Sequence, residues 1–252
     1  MASPAESQDL EVLIMRGRVW AVLSVAVLWG LPHAGAAATQ EERPFSKVTG
    51  GDELVKEKGR FRETWVRPDA DITRYDKLHV WNAVFQFRDV GEARGSGTTT
   101  AMLRSTGSEA YPIAQESRER FGQVVTDTFV EELQRSKKFQ VVDDVGPGTL
   151  LVRGAVFDIV SNVPPGAARH DVYLSAVGEA TIVIELIDAE TGVMLARVGE
   201  RRRIQPPGAP HDAFTKPANE ATVWADVQQW ARAVASDFRR ELEKAQKDAQ
   251  KK

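Results

Sequence analysis

The chain contains no cysteine. That one absence excludes disulfides, thiolate metal sites and cysteine nucleophiles together, and with them the residue that a bacterial lipoprotein needs to accept its lipid. Charge of one sign is lacking as well. With 33 Lys and Arg against 36 Asp and Glu, the net charge is −3 and the signs are interspersed, so nothing selects nucleic acid or an anionic membrane as partner. Long hydrophobic runs are missing too. The apolar stretch from Val19 to Leu31 spans about 20 Å as a helix at ~1.5 Å per residue, short of a hydrocarbon core of about 30 Å. Extending it to Ala38 takes in Pro32 and His33. Catalytic signatures are the last absence: there is no Gly-x-Ser-x-Gly elbow and no His-Glu-x-x-His. Gly95-Ser-Gly-Thr98 lacks the lysine of a phosphate loop and does not open a helix directly. No catalytic residue and no cofactor is assigned, and the chain is not read as an enzyme.

What is present begins with a leader. Met15-Arg-Gly-Arg18 supplies a basic start, Val19 to Leu31 a short apolar stretch, and Ala36-Ala-Ala38 a small-residue exit. This is the pattern of a secretory signal peptide, cleaved after Ala36 or Ala38. Residues 1–14 carry Glu6, Asp9 and Glu11 and no basic residue, so Met15 is the expected start. The expectation is a periplasmic or secreted protein of the bacterial cell envelope, with no integral membrane segment once the leader is removed.

Residues 39–63 are polar, charged and without periodicity, and are expected to form a flexible arm. A single domain is expected over 64–245 and a charged tail over 246–252, with fraying expected from Glu243 to Lys252. Asp71 is placed to cap a short turn, with Trp65, Ile72 and Tyr75 pinning the arm. Leu78 to Phe87 alternates as a strand, with Trp81, Ala83, Phe85 and Phe87 on one face and Leu78, Val80 and Val84 on the other. Apolar residues on both faces predict a central strand. A Gly-rich loop over Asp89 to Ser108 follows. Helical period then predicts a helix over Pro112 to Lys137, with Phe121, Val124, Val125, Phe129 and Leu133 on one stripe.

Beyond a short strand at Phe139 to Val142 and a turn at Gly146-Pro-Gly148, three strands are predicted: Leu150 to Val163, Tyr173 to Ile187 and Val193 to Ile204. In the second, Ala180, Ile182, Ile184 and Leu186 share one face, and Glu179, Thr181 and Glu185 the other, which gives a sheet with one wet side. Asp188-Ala-Glu-Thr-Gly192 is the hairpin loop between the last two. A final helix, Asn219 to Lys247, aligns Val223, Val227, Trp230, Ala231, Val234, Phe238 and Leu242. The fold class is α+β: one mostly antiparallel mixed sheet of about five strands, with two long helices packed on one face.

Four phrases occur here in a familiar order. They are Val66-Arg-Pro-Asp-Ala-Asp-Ile-Thr-Arg-Tyr75, Leu133-Gln-Arg-Ser-Lys-Lys-Phe139 with Gln140-Val-Val-Asp143, Gly146-Pro-Gly-Thr-Leu-Leu-Val-Arg153, and the Asp188 to Gly192 loop. In that order the chain resembles a family of bacterial envelope lipoproteins known as a domain of unknown function, domain family 3313, over roughly residues 64–245. The resemblance implies an envelope location and an α+β fold and supplies no catalytic residues. The chain departs from the pattern in lacking the lipid-accepting cysteine.

One phrase recurs. Val163-Pro-Pro-Gly-Ala-Ala-Arg-His170-Asp171 and Gln205-Pro-Pro-Gly-Ala-Pro-His211-Asp212 each follow a predicted strand. If residues 150–204 form an up-down-up meander, both phrases leave the same end of the sheet from strands about 10 Å apart. His170, Asp171, His211 and Asp212 could then bind Zn²⁺ or a similar ion. The plainer account is that Pro-Pro-Gly ends strands well and the His-Asp pairs are solvated. Arg201-Arg-Arg203 does not form a basic patch, because Arg202 points opposite to its neighbours; pairing with Glu179 or Glu185 is the simpler account. Trp230 falls on the apolar stripe of the last helix and Trp224 nearer its edge.

The sequence therefore favours a non-catalytic binding or interaction domain, whose partner is an unknown envelope protein or a second copy of itself. A metal- or small-ligand-binding domain built on the two His-Asp loops is the alternative, and a hydrolase the third class.

Overall fold

Period-two alternation of Val, Ile and Leu from residue 77 onward builds a sheet, and the two 3.6-period stripes build helices that cover one side of it. The computed structural model describes residues 51–90, 110–165, 167, 172–205 and 216–251. In chain order the strands and helices are β1 (Val55–Lys56), β2 (Glu63–Val66), β3 (Lys77–Phe87), α1 (Gln115–Leu133), β4 (Gln140–Val141), β5 (Thr149–Ser161), β6 (Tyr173–Leu174), β7 (Gly178–Asp188), β8 (Met194–Ile204), β9 (Lys216–Pro217) and α2 (Glu220–Ala249). Seven strands form one mixed sheet in the order β1-β2-β8-β7-β5-β3-β4, and β6 and β9 pair apart from it. Five of the seven have four residues or more; β1 and β4 are two-residue edges. β5, β7 and β8 are the antiparallel meander, while β3 runs parallel to both β5 and β4.

Both helices lie on one face. Val125 and Leu133 of α1 and Val227, Val234, Phe238 and Leu242 of α2 share a core with Leu150, Val152, Ala180, Ile182 and Ile184 of the sheet. Trp230 is at its centre, 3% exposed, with its ring 6.1 Å from that of Phe121. Asn219 starts α2 with a capping box: its side chain accepts from the Thr222 N–H, and the Thr222 hydroxyl accepts from the Asn219 N–H. The β7–β8 hairpin closes as the Asp188 carboxylate accepts from the Glu190 N–H and the Thr191 hydroxyl, each at 2.9 Å, while Gly192 takes φ +71°, which glycine adopts without strain.

Several sequence expectations change. The arm expected over 39–63 is structured within the described part: Gly51–Glu53 forms a short helical turn, β1 pairs with β2, and Phe61 is 3% exposed in the core. The tail expected from 246 continues α2 to Ala249, because Gln246 is buried and its Nε2 donates to the Tyr75 carbonyl at 3.2 Å. The segment Tyr173 to Ile187 is two strands, β6 and β7. β3 is not central, since β4 covers only Lys77 and Leu78 on its outer side. Nor does β3 keep one alternation: a bulge between Trp81 and Val84 shifts the register, so Phe85 and Phe87 turn to Phe121 on the helix side while Trp81 stays on the other. The loop expected over Asp89 to Ser108 lies outside the described residues beyond Val90.

Candidate functional site

The face of the sheet away from the helices carries the chemistry. Along β7, Ile184 and Leu186 enter the core, so Glu185 between them points to the opposite side. Register then aligns one residue from each of five strands: Trp65 (β2) with Arg197 (β8), Arg197 with Glu185 (β7), Glu185 with Arg153 (β5), and Arg153 with Trp81 (β3). Four strand spacings of about 4.8 Å set the backbones of the two tryptophans about 19 Å apart.

Glu185 is the hinge of the row. Its Oε2 accepts from Arg153 Nε at 2.6 Å and its Oε1 from Arg197 Nε at 3.0 Å. The carboxylate is largely buried beneath the two guanidiniums, whose side chains are 36% and 45% exposed. One carboxylate against two guanidiniums leaves the row with a positive charge at its surface. Lys56 sits over the Trp65 ring at 5.7 Å and bonds Glu63 at 2.7 Å.

A second cluster stands farther along the same face. Asp158 sits at a bulge in β5 with φ +52°, a conformation aspartate tolerates better than most residues. Its carboxylate accepts from Arg88 at 2.5 Å through both oxygens, and also from Arg201, which in turn bonds Glu179. The hydrogen bonds from Arg88 and Arg201 pull the Asp158 carboxyl down to about 2. On the helix side, Arg202 bonds Asp237 of α2 at 2.9 Å, so the three successive arginines divide between the faces as alternation requires. Arg201 takes Glu179, as the sequence suggested, whereas Glu185 takes Arg153 and Arg197.

At the β7–β8 hairpin, burial and the neighbouring Asp188 charge raise the Tyr75 hydroxyl to about 12. Burial would raise Asp188 as well, but the Glu190 N–H and the Thr191 and Tyr75 hydroxyls outweigh it and hold that carboxyl below its ordinary value.

His170, Asp171, His211 and Asp212 lie outside the described residues, as do Ala36 and Ala38. The strands from which the two His-Asp phrases depart are described. Ser161 pairs with Gly178 and Gly178 with Ile204, so β5 and β8 end on one row. Past the phrases, Tyr173 pairs with Pro217, and the Ala218 N–H donates to the Val172 carbonyl at 2.7 Å. Among the described residues, no group of three or more His, Asp or Glu is placed to hold a metal ion, and no helix is long and apolar enough to cross a membrane.

Sequence reasoning missed the Trp-Arg-Glu-Arg-Trp row. Its members come from five strands, and only strand order and register bring them together.

The family model described as "Protein of unknown function (DUF3313)" matches residues 44–238. The chain belongs to this family. The DUF3313 match takes in every strand of the sheet and ends inside α2. No curated protein matches the chain. Among solved structures, the DUF3313 chain is similar to the PelC dodecamer subunit from Paraburkholderia phytofirmans (10% identity, 73% of this chain and 96% of that one, TM-score 0.31). It is also similar to protein XCC0632 from Xanthomonas campestris (12%, 73% and 93%, 0.38) and to a DUF4136 family protein from Bacteroides thetaiotaomicron (7%, 73% and 98%, 0.28).

Proposed function

We propose that this protein is a non-catalytic binding domain of the bacterial cell envelope, and that it presents the open face of its sheet to an envelope partner. The observation that carries the reading is the row Trp65-Arg197-Glu185-Arg153-Trp81. Tryptophan and arginine are the side chains that most often dominate binding energy, and here they stand on paired strands, so little ordering is needed when a partner docks. The two guanidiniums share one carboxylate and keep donors for a partner's carbonyl or carboxylate groups. The leader at Met15 to Ala38 supports the envelope setting.

A photocrosslinking residue at Val183 tests the reading. Val183 pairs with Gly199 and Ala155, two small neighbours that leave room for the probe. In cells, a discrete adduct is expected in the envelope fraction, and it should be lost when Trp65→Ala and Trp81→Ala are combined. An adduct pattern indifferent to both substitutions, or a full-length chain found in the cytosol, would overturn the proposal.

A second reading is favoured by the pairing of β6 with β9, which joins the segments that follow the two His-Asp phrases. In it His170, Asp171, His211 and Asp212 bind a metal ion or small ligand. Zinc titration by calorimetry should show heat that the His170→Ala protein loses; absence of heat ends this reading.

A further inference from the structure

One row along from Glu185, the open face of the sheet carries only short side chains. Register places Gly199 (β8), Val183 (β7), Ala155 (β5) and Val84 (β3) side by side. A Cβ added at Gly199 would meet Glu63 Cβ and Val183 Cγ2 at 3.9 Å, so these positions look to the same side. Two residues away along the strands stand longer side chains, Arg197, Glu185 and Arg153 on one flank and Arg201 and Phe157 on the other. The result is a trough that crosses the strands. Arg197 and Arg201 are four residues apart on β8, which separates the walls by about 13 Å at ~3.3 Å per residue. The floor is apolar, and Val84 at its β3 end is 58% exposed.

Charge on the two walls is uneven. Arg88 and Arg201 are offset by Asp158 and Glu179, and at the β2 end of the trough Lys56 offsets Glu63. On the other wall two guanidiniums share one carboxylate. Arg153 and Arg197 each address Glu185 through Nε and Nη2, with Nη2 at 2.5 and 2.8 Å from its oxygens, and their Nη1 groups have no hydrogen-bond partner among the described residues. A second carboxylate is the group that completes two such forks around one carboxylate.

We infer that the occupant of this trough is an acidic segment of a partner polypeptide, laid across the strands with a carboxylate on the Arg153 and Arg197 Nη1 groups and apolar side chains on Val183 and Val84. The inference rests on the binding function proposed above and names the chemistry of its partner. Width selects the class of partner: walls about 13 Å apart admit one chain segment, whereas a bilayer surface is flat and meets only the rims. Charge selects the sign. An incoming carboxylate finds donors that Glu185 already holds in place, while a basic segment meets the surplus guanidinium charge.

Reversing the row separates charge preference from packing. Arg153→Glu, Glu185→Arg and Arg197→Glu, made together in the full chain, keep one central group paired with two flanking ones and turn the surplus from positive to negative. The probes are acetyl-Glu-Val-Glu-Ala-Glu-Val-Glu-amide and the same peptide with lysine or glutamine in place of glutamate, titrated by calorimetry. The unmodified protein is expected to bind the glutamate peptide more tightly than the other two, with an affinity that falls as salt rises. In the reversed protein the glutamate peptide should bind at least about tenfold more weakly, and the lysine peptide should take its place. Gly199→Phe, at a position where a Cβ makes only ordinary contacts, fills the trough without altering any charge. It should weaken the glutamate peptide by a similar factor while leaving the circular dichroism spectrum unchanged. A glutamate peptide that does not bind, that binds the reversed protein equally well, or that is indifferent to Gly199→Phe would overturn the inference, as would phosphatidylglycerol vesicles that bind the unmodified protein more tightly than the peptide does. If the reversed protein does not fold, Gly199→Phe with the three peptides still decides. The proposed function fails separately. A Val183 adduct in cells that survives the three reversals overturns the acidic partner alone, and the absence of any adduct while the glutamate peptide binds overturns the envelope partner alone.

Discussion

Glu185 of β7 accepts the Nε–H of Arg153 of β5 at 2.6 Å, on the side of the sheet that faces away from both helices. The same carboxylate holds Arg197, so its removal leaves two guanidiniums confronting each other across β7 without a counter-charge. Glu185→Ala is expected to cost about 1–3 kcal/mol in urea denaturation, in the range of hydrogen bonds to charged groups. Arg197→Ala should then cost less in the Glu185→Ala background than in the unmodified protein. Additive effects in that double-mutant cycle would contradict the shared carboxylate.

Gly178 tests the end of the meander from which both Pro-Pro-Gly phrases depart. A Cβ at that position would lie 2.2 Å from the Val160 carbonyl oxygen, a backbone atom that moves only if β5 moves. Gly178→Ala is expected to destabilise by about 1–3 kcal/mol, the usual range for overpacking. Gly146→Ala, where a Cβ would meet nothing within 4 Å, serves as the control and should change the melting temperature little.

Much of this architecture is legible in the residues. Helical stripes, the wet face of β7 and the Asp188 hairpin depend on local periodicity and turn chemistry, and each follows from spacing alone. The opposed directions of Arg201 and Arg202 are legible for the same reason. What local patterns do not contain is register. Trp81 and Phe85 stand an even number of residues apart, so alternation places them together; the bulge between Trp81 and Val84 separates them, and nothing in Trp-Asn-Ala-Val announces it. The candidate site is hidden for a related reason. Trp65 and Trp81 share a row only because β8, β7 and β5 come between their strands in that order. The charged composition of residues 52–63 likewise conceals Phe61, the single large apolar side chain that ties the segment to the core.

The end of α2 is a further test, because the sequence there contains nothing larger than alanine to hold it. Gln246 nevertheless donates to the Tyr75 carbonyl at 3.2 Å from a buried position, and Ala249 packs against the core. Truncation after Ala245 is expected to destabilise the domain by about 1–2 kcal/mol, through the lost hydrogen bond and the last helical turn. Truncation after Ala249 should be neutral. Thermal unfolding of the two shortened chains distinguishes a docked helix end from a fraying tail.

Asp158 makes stability depend on pH with a definite sign. Its carboxyl titrates near 2 in the folded chain against an ordinary value of 3.8, because Arg88 and Arg201 hydrogen-bond the charged form. A depressed folded value means that the unfolded chain takes up the proton first as pH falls. The contribution is therefore complete above about pH 5 and disappears as pH drops from about 4 to about 2. Asp158→Asn keeps a side chain that tolerates φ +52° and removes the charge, so it isolates the ion pairs. The melting temperature of the unmodified protein should exceed that of Asp158→Asn at pH 7 and converge with it near pH 2. The gap at pH 7 should also narrow in high salt, since these side chains are about one-third exposed. Asp158→Ala should melt below Asp158→Gly at every pH, because alanine adds backbone strain at positive φ that glycine does not. A difference between the aspartate and asparagine proteins that stays constant from pH 7 to 2 would show that the Arg88–Asp158–Arg201 cluster contributes no net electrostatic stability.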